Sequence, residues 1–181
     1  MVIDSVCLQN FPLDTISYIK IGGPARYFAL PKSIQDLQNI FKEICKENMP
    51  YIIVGGCSNI LFSDKGFNGV VLSLKNLPQK INIIDKNIMV SGEVSIAKFL
   101  STLYNKKIDN FNFWQGIPGT VLASICGNAS IGESFLKELL DYIKIIDAAG
   151  NICIVKKENL NFGYRRNILQ GNFILFEAGF V

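Results

Sequence analysis

YIIVGGCSNILFSDKGFNG, residues 51–69, is the stretch whose reading decides the fold. Tyr51 to Val54 read as a buried strand, and Gly55-Gly56-Cys57-Ser58-Asn59 then breaks into small residues suited to turning. An apolar step, Ile60-Leu61-Phe62, leads into a second turn at Ser63-Asp64-Lys65-Gly66. A strand that delivers a glycine-rich turn can aim several backbone N–H groups at one point. With no bulky side chain in the way, an anionic phosphate can lie against that backbone. The pattern therefore predicts a pyrophosphate cradle at Gly55, Gly56, Cys57, Ser58 and Asn59. No Gly-Lys-Ser/Thr follows, so it is not a Walker loop, and it is not GxGxxG. A Gly-Gly turn after a strand also occurs as a plain loop, and both readings stand at this point.

Upstream, Ala25 to Leu30 reads as a strand between Gly22-Gly23-Pro24 and Pro31. Ser33 is a helix cap with Asp36 three residues on, and Ile34, Leu37, Ile40, Phe41, Ile44 and Cys45 recur at helical spacing. Residues 25–56 thus read strand, helix, strand. Such a crossover makes the strands parallel and sets the Gly-Gly turn at a carboxyl end of the sheet, where open α/β sheets bind ligands. Residues 69–74, GVVLSL, read as a further strand.

Downstream, residues 81–84 and 88–90 flank Asp85-Lys86-Asn87 as a hairpin, and a lobe boundary is expected near residues 76–78. Ser95 caps a second amphipathic helix carrying Ile96, Phe99, Leu100, Leu103 and Tyr104. In Trp114-Gln115-Gly116-Ile117-Pro118-Gly119-Thr120, two glycines and a proline make a rigid turn, and Thr120 is placed to cap a helix over residues 121–126. A helix start fed by a glycine turn is a second candidate anion site, with a plain capped helix as the alternative. The single Trp reads as a packing residue. Residues 141–147 and 152–155 read as paired strands, 156–162 as a short polar helix, and 173–181 as a last strand. Tyr164 and Arg165-Arg166 suit a carboxylate ligand or, as the residues alone favour, a surface ion pair.

Composition narrows the chemistry. The 181 residues are 49% hydrophobic and 18% charged, enough apolar content for a packed core. The net charge of +3 is scattered, which gives no footprint for nucleic acid. Apolar runs are too short for a bilayer span and the start carries an acid, so the expectation is a cytoplasmic protein with no membrane partner. Five cysteines at irregular spacing, with no histidine, suggest reduced buried thiols and no zinc site. Without histidine, Ser-His-Asp hydrolysis and Cys-His chemistry are excluded, and catalysis leans on a bound cofactor.

Six segments in order carry a resemblance: KIGGPARYFALP (20–31), VGGCSNILFSDKGFNGVVL (54–72), VSGE (90–93), FWQGIPGTV (113–121), GNAS (127–130) and LNFGYRRN (160–167). Together the chain resembles the bacterial UDP-N-acetylenolpyruvoylglucosamine reductases, flavoproteins of peptidoglycan synthesis. The resemblance implies an α+β fold, a two-lobed FAD-binding domain of the PCMH/vanillyl-alcohol oxidase type, with lobes at residues 1–76 and 77–181. It implies FAD and NADPH as cofactors and a UDP-sugar substrate. It assigns FAD to Gly55, Gly56, Cys57, Ser58, Asn59, Gly116, Gly119 and Thr120, and the substrate's enolpyruvyl carboxylate to Arg165 with Tyr164. Family members transfer a hydride from NADPH through flavin to the enol ether, and the flavin supplies that step.

Departures from the family pattern matter. Val121-Leu122-Ala123-Ser124 stands where the family has Val-Gly-Gly-Ala, which puts side chains where backbone approaches the cofactor and predicts a weaker grip on FAD. Cys57-Ser58 stands for Gly-Ser, and Asn167 for Ser. The family's proton-donating Ser and assisting Glu belong to a substrate domain that no segment here resembles. Ser130 and Glu177 are not matches for them. The expectation is a truncated or split reductase, or a shortened relative, with another chain as a candidate source of the substrate domain. The alternative is a non-catalytic remnant or flavin-binding module of the same fold.

Overall fold

A computed structural model describes residues 6–127, 135–162, 169 and 171–181. The first sheet is organised around its apolar run. Its strands are β1 (Leu8–Pro12), β2 (Pro24–Ala29), β3 (Tyr51–Val54) and β4 (Phe67–Ser73), in the order β1-β2-β4-β3. β2 and β3 do run parallel, as the crossover predicts, but they are not neighbours: β4 lies between them and pairs parallel with both. The physical reason is burial. Residues 69–73 of β4 are buried without a break, which suits a central strand covered on both faces. β3 is consequently an edge strand, and Tyr51, Ile52 and Ile53 are half-buried where a buried strand was expected. β1 pairs antiparallel with β2.

Between β2 and β3 runs α1 (Ile34–Lys46). Ser33 Oγ accepts from the Asp36 N–H and Asp36 Oδ2 accepts from the Ser33 N–H, each at 3.0 Å, a complete capping box. Leu37, Ile40, Phe41 and Ile44 form its buried stripe.

The second sheet contains β5 (Lys80–Ile84), β6 (Asn87–Ser91), β7 (Leu140–Asp147), β8 (Ile152–Lys156) and β9 (Phe173–Phe180), in the order β5-β6-β9-β7-β8 with every pairing antiparallel. The β7–β8 turn is held by Asp147 Oδ1, which accepts from the N–H groups of Ala149 (2.9 Å) and Asn151 (2.8 Å). The polar helix expected over 156–162 is a single 3-10 turn, Lys157–Asn159, because nothing apolar repeats there to anchor a longer one. Three short helices accompany this sheet: α2 (Ile96–Tyr104), α3 (Val121–Cys126) and α4 (Phe135–Leu139). α2 buries Ile96, Phe99, Leu100 and Leu103, whereas Tyr104 turns outward and donates from its hydroxyl to Asn112 Oδ1 at 2.6 Å.

One hydrophobic core joins the sheets. It runs from Tyr27, Leu37, Phe41 and Leu72 to Val90, Phe99, Ile143 and Ala178. Trp114 is fully buried against Phe99, Phe111 and Phe180, a packing residue as its solitary occurrence suggested. A smaller cluster, including Leu13, Phe28, Val54, Cys57, Phe62 and Val71, packs separately from it. β4 feeds both, sending Val70 and Leu72 to one and Val71 to the other, as strand alternation requires. Among the described residues no helix is long and apolar enough to cross a membrane.

Candidate functional site

β3 ends at Val54 and releases the chain into Gly55, so the turn leaves the sheet at a carboxyl edge. Cys57 occupies left-handed backbone, φ +50°. Its side chain is buried in the smaller core cluster and its thiol donates to Gly55 O at 3.4 Å. A side chain at this position is therefore accommodated because it points into the protein and pins the turn from below. Burial, and secondarily the charge of Glu93, pushes the thiol above its ordinary range, which favours its protonated form. No disulfide joins any of the five cysteines.

Facing this turn is the second glycine turn. Gly119 has φ +121° and Gly116 φ +80°, conformations that L side chains avoid. The two turns touch. Ser58 Oγ donates to Pro118 O at 3.3 Å. A Cβ on Gly56 would stand 3.5 Å from Gly119 Cα, and one on Gly119 would stand 3.3 Å from Ser58 Oγ. A Cβ on Gly55 would lie only 2.5 Å from Thr120 Oγ1 and 3.3 Å from Ala123 Cβ. Glycine at 55 is thus demanded by the approach of the facing turn.

Two crevices open along this contact. One, of about 700 Å³, is lined by residues 55–60 on one side and 117–120 with Ala123 and Ser124 on the other, with no charged side chain in its lining. The second, of about 720 Å³, shares residues 55–58 and 118–120. It has an apolar end at Phe11, Phe28 and Leu30 and a polar end at Ser73, Lys75 and Glu93. Both volumes lie in the range of small-molecule and cofactor sites. Small residues, main chain and no carboxylate at the turn itself form a lining that fits the pyrophosphate of a dinucleotide. The sequence-predicted Gly55, Gly56, Cys57, Ser58, Asn59, Gly119 and Thr120 all line the first crevice. Gly116 lines neither, and a Cβ there would meet nothing within 4 Å: its glycine answers to its φ, not to the crevice.

Thr120 departs from its expected role. It sits at the N-cap of α3, but its side chain makes no capping bond. The turn is instead stitched to residues 94–96: the Val121 N–H donates to Val94 O (2.9 Å), the Ile96 N–H donates to Gly119 O (3.0 Å), and Thr120 bridges Ser95. Because the Val121 N–H is already engaged and α3 is six residues long, the expected helix-terminus anion site is reduced to the turn itself. The crowding expected from residues 122 and 123 is divided between two cavities. Leu122 is 4% exposed, packs in the main core and borders a smaller cavity of about 440 Å³ beside Gly55 and Thr120, while Ala123 and Ser124 line the first crevice.

The structure adds residues that sequence reasoning missed. Glu93, after the positive-φ Gly92, lines the second crevice, and its Oε2 accepts from Ser73 Oγ at 2.9 Å. Burial raises its carboxyl above the usual range; the Ser73 hydrogen bond and the Lys75 charge pull it partly back. The available signal was the segment VSGE (90–93), which entered the resemblance without a role for Glu93. Glu177 is engaged elsewhere, paired with Lys144 at 2.8 Å and accepting from the Tyr142 hydroxyl at 3.1 Å. Tyr164, Arg165, Asn167 and Ser130 lie outside the described residues. Among the described residues no group of three or more His, Cys, Asp or Glu is placed to hold a metal.

Comparison with known proteins gives three results. Residues 25–156 match the family model described as FAD binding domain. The chain is 36% identical over 162 residues to the UDP-N-acetylenolpyruvoylglucosamine reductase of Chlamydia muridarum (strain MoPn / Nigg), covering 90% of this chain and 54% of that protein. The chain spans about half the length of the curated relatives it matches. Among solved structures, UDP-N-acetylenolpyruvylglucosamine reductase from Thermus caldophilus superposes with a TM-score of 0.77 at 20% identity, over 97% of this chain and 60% of that one. p-Cresol methylhydroxylase with substrate bound gives 0.61 at 14% identity, over 99% and 38%. The fold is thus the two-lobed α+β arrangement of the PCMH/vanillyl-alcohol oxidase type, as the resemblance implied.

Proposed function

The chain belongs to the FAD binding domain family, and on that premise we propose that it holds FAD where its two glycine turns meet and serves a UDP-N-acetylenolpyruvoylglucosamine reductase. The observation that carries this reading is the contact of residues 55–58 with residues 118–120, across which two crevices open. Gly55, Gly56, Cys57, Ser58, Asn59, Gly119 and Thr120 hold the pyrophosphate, chiefly through main chain, while the buried Cys57 side chain keeps the first turn in place. Gly116 sets the path of the second turn. We take residues 1–76 and 77–181 as the two lobes. Bound FAD supplies the hydride-transfer chemistry that no side chain of this protein offers.

The reaction in this reading is the NADPH-dependent reduction of the enolpyruvyl ether to UDP-N-acetylmuramate, in the cytoplasm, for peptidoglycan synthesis. Arg165, with Tyr164, meets the enolpyruvyl carboxylate, where a guanidinium pairs in bidentate fashion and stabilises developing negative charge. No residue of the 181 is assigned the proton donor's role, so turnover calls for a substrate-binding unit that these residues do not include. The rival is a remnant that has lost flavin at the Leu122-Ala123 helix; Leu122 is buried in the core, whereas Ala123 lines the first crevice, and flavin titration separates the two readings.

Purified protein is expected to carry, or take up, FAD with the absorption bands of oxidised flavin. NADPH oxidation that rises on adding the enolpyruvyl substrate is expected once the substrate-binding unit is supplied. Protein that stays colourless after incubation with FAD refutes the reading.

A further inference from the structure

Glu93 is a half-buried carboxylate fixed at the seam between the two sheets. It follows β6 of the second sheet and is tethered by Ser73, the last residue of β4 in the first. It lines the 720 Å³ crevice and also a largely apolar cavity of about 440 Å³ bordered by Tyr51 and Leu175. The residues that follow it are the ones hydrogen-bonded to the second glycine turn, through Val94 O, the Ile96 N–H and the Ser95–Thr120 bridge. The carboxyl is therefore held at a set offset from the pyrophosphate cradle.

A carboxylate there repels phosphate, so it suits the part of a ligand that presents neutral donors. A dinucleotide carries its hydroxyls on the sugars flanking the pyrophosphate, and an acid beside a phosphate turn reads such a hydroxyl in other dinucleotide folds. The carboxyl is also partly removed from bulk water with Ser73 on one oxygen, and a hydroxyl donated by the ligand offsets that desolvation. We propose that Glu93 accepts a hydrogen bond from a sugar hydroxyl of the bound dinucleotide, on either the ribose of its nucleotide half or the polyol chain of its flavin half. This rests on the FAD reading above.

The test titrates the wild-type chain, E93A and E93Q with FAD, ADP and FMN, and records the melting temperature of each protein without ligand. E93A is expected to weaken FAD binding about 10- to 100-fold, the effect of a hydrogen bond to a charged group. E93Q, of the same size but uncharged, is expected to weaken it by a smaller factor. The loss falls on ADP if the ribose is the partner and on FMN if the polyol chain is. FAD affinity unchanged in both variants overturns the proposal. So does an equal loss for ADP and FMN that tracks a lowered melting temperature, which would make Glu93 a brace between the sheets. Should E93A fail to fold, E93Q carries the test. A wild-type chain that binds none of the three ligands overturns the FAD reading as well; one that binds FAD regardless of residue 93 overturns this proposal alone.

Discussion

Gly55→Ala is expected to force the two glycine turns apart, and Thr120→Ala to let them close again. The added methyl would sit 2.5 Å from Thr120 Oγ1, 3.3 Å from Ala123 Cβ and 3.4 Å from Thr120 Cγ2. Thr120 is 6% exposed and β-branched, so turning its hydroxyl away drives another branch into packed surroundings. Overpacking of this kind costs about 1–3 kcal/mol. The same displacement moves residues 118–120 away from residues 55–58. Losing one charge-assisted hydrogen bond to a phosphate costs about 1.5–3 kcal/mol, roughly a 10- to 150-fold loss of FAD affinity. Thr120→Ala removes two of the three crowding atoms, including the nearest, and leaves Ala123 Cβ at 3.3 Å, so the double variant should recover a coupling energy of about 1–2 kcal/mol. Urea unfolding of the four proteins of the cycle measures the stability terms, and quenching of flavin fluorescence measures affinity. A G55A protein that matches wild type in both, or a T120A change that leaves the G55A defect untouched, refutes a clash between the two turns.

Cys57 stands at φ +50°, where an L residue is strained by about 1–2 kcal/mol, while its side chain is 7% exposed. C57G should unfold within about 1 kcal/mol of wild type because relief of strain offsets lost burial; C57A keeps the strain and should fall below C57G by a similar amount in urea. The raised carboxyl of Glu93 means the native state holds its proton more tightly than the unfolded chain does. Its stabilising contribution is therefore present below the ordinary carboxylate range and lost as pH climbs through the raised value. Plotted against pH, the melting temperature of wild type should fall relative to E93Q across that window, and parallel curves would contradict it. A Cβ on Gly179 would overlap the Tyr142 ring that lies across it on β7, so G179A should lose about 1–3 kcal/mol or more, with Y142A restoring much of the loss in thermal unfolding.

α1 was legible because its signals are local: a cap at Ser33, an acid three residues on, and an unbroken apolar stripe. The β5–β6 hairpin was legible for the same reason. β1 was not, since LQNFP carries no β-branched residue and pairs only because β2 presents a free edge. The insertion of β4 between β2 and β3 is non-local, and its sequence trace is the unbroken apolar run rather than any turn. In the site, both glycine turns stood out from their composition, but that Gly55 answers to Thr120 requires a contact across 65 positions. The inward turn of Leu122 follows from Val121 and Ile125 sharing the core, a helical period hidden in so short a segment. Glu93 acquires its setting from Ser73 on the other sheet, which no spacing in the chain announces.

The second sheet seats its latest strand in the middle: β9 separates the β5–β6 hairpin from the β7–β8 hairpin. Synthesis proceeds from the N-terminus, so both hairpins leave the ribosome with a vacant slot between them. Each then shows an unpaired edge, the kind of surface that recruits neighbouring nascent chains. The Gly92 N–H, one residue before Glu93, donates to Phe176 O of β9. The crevice beside Glu93 consequently matures only after residues 173–180 have been delivered, and a ribosome stalled before them holds a chain with that crevice half assembled.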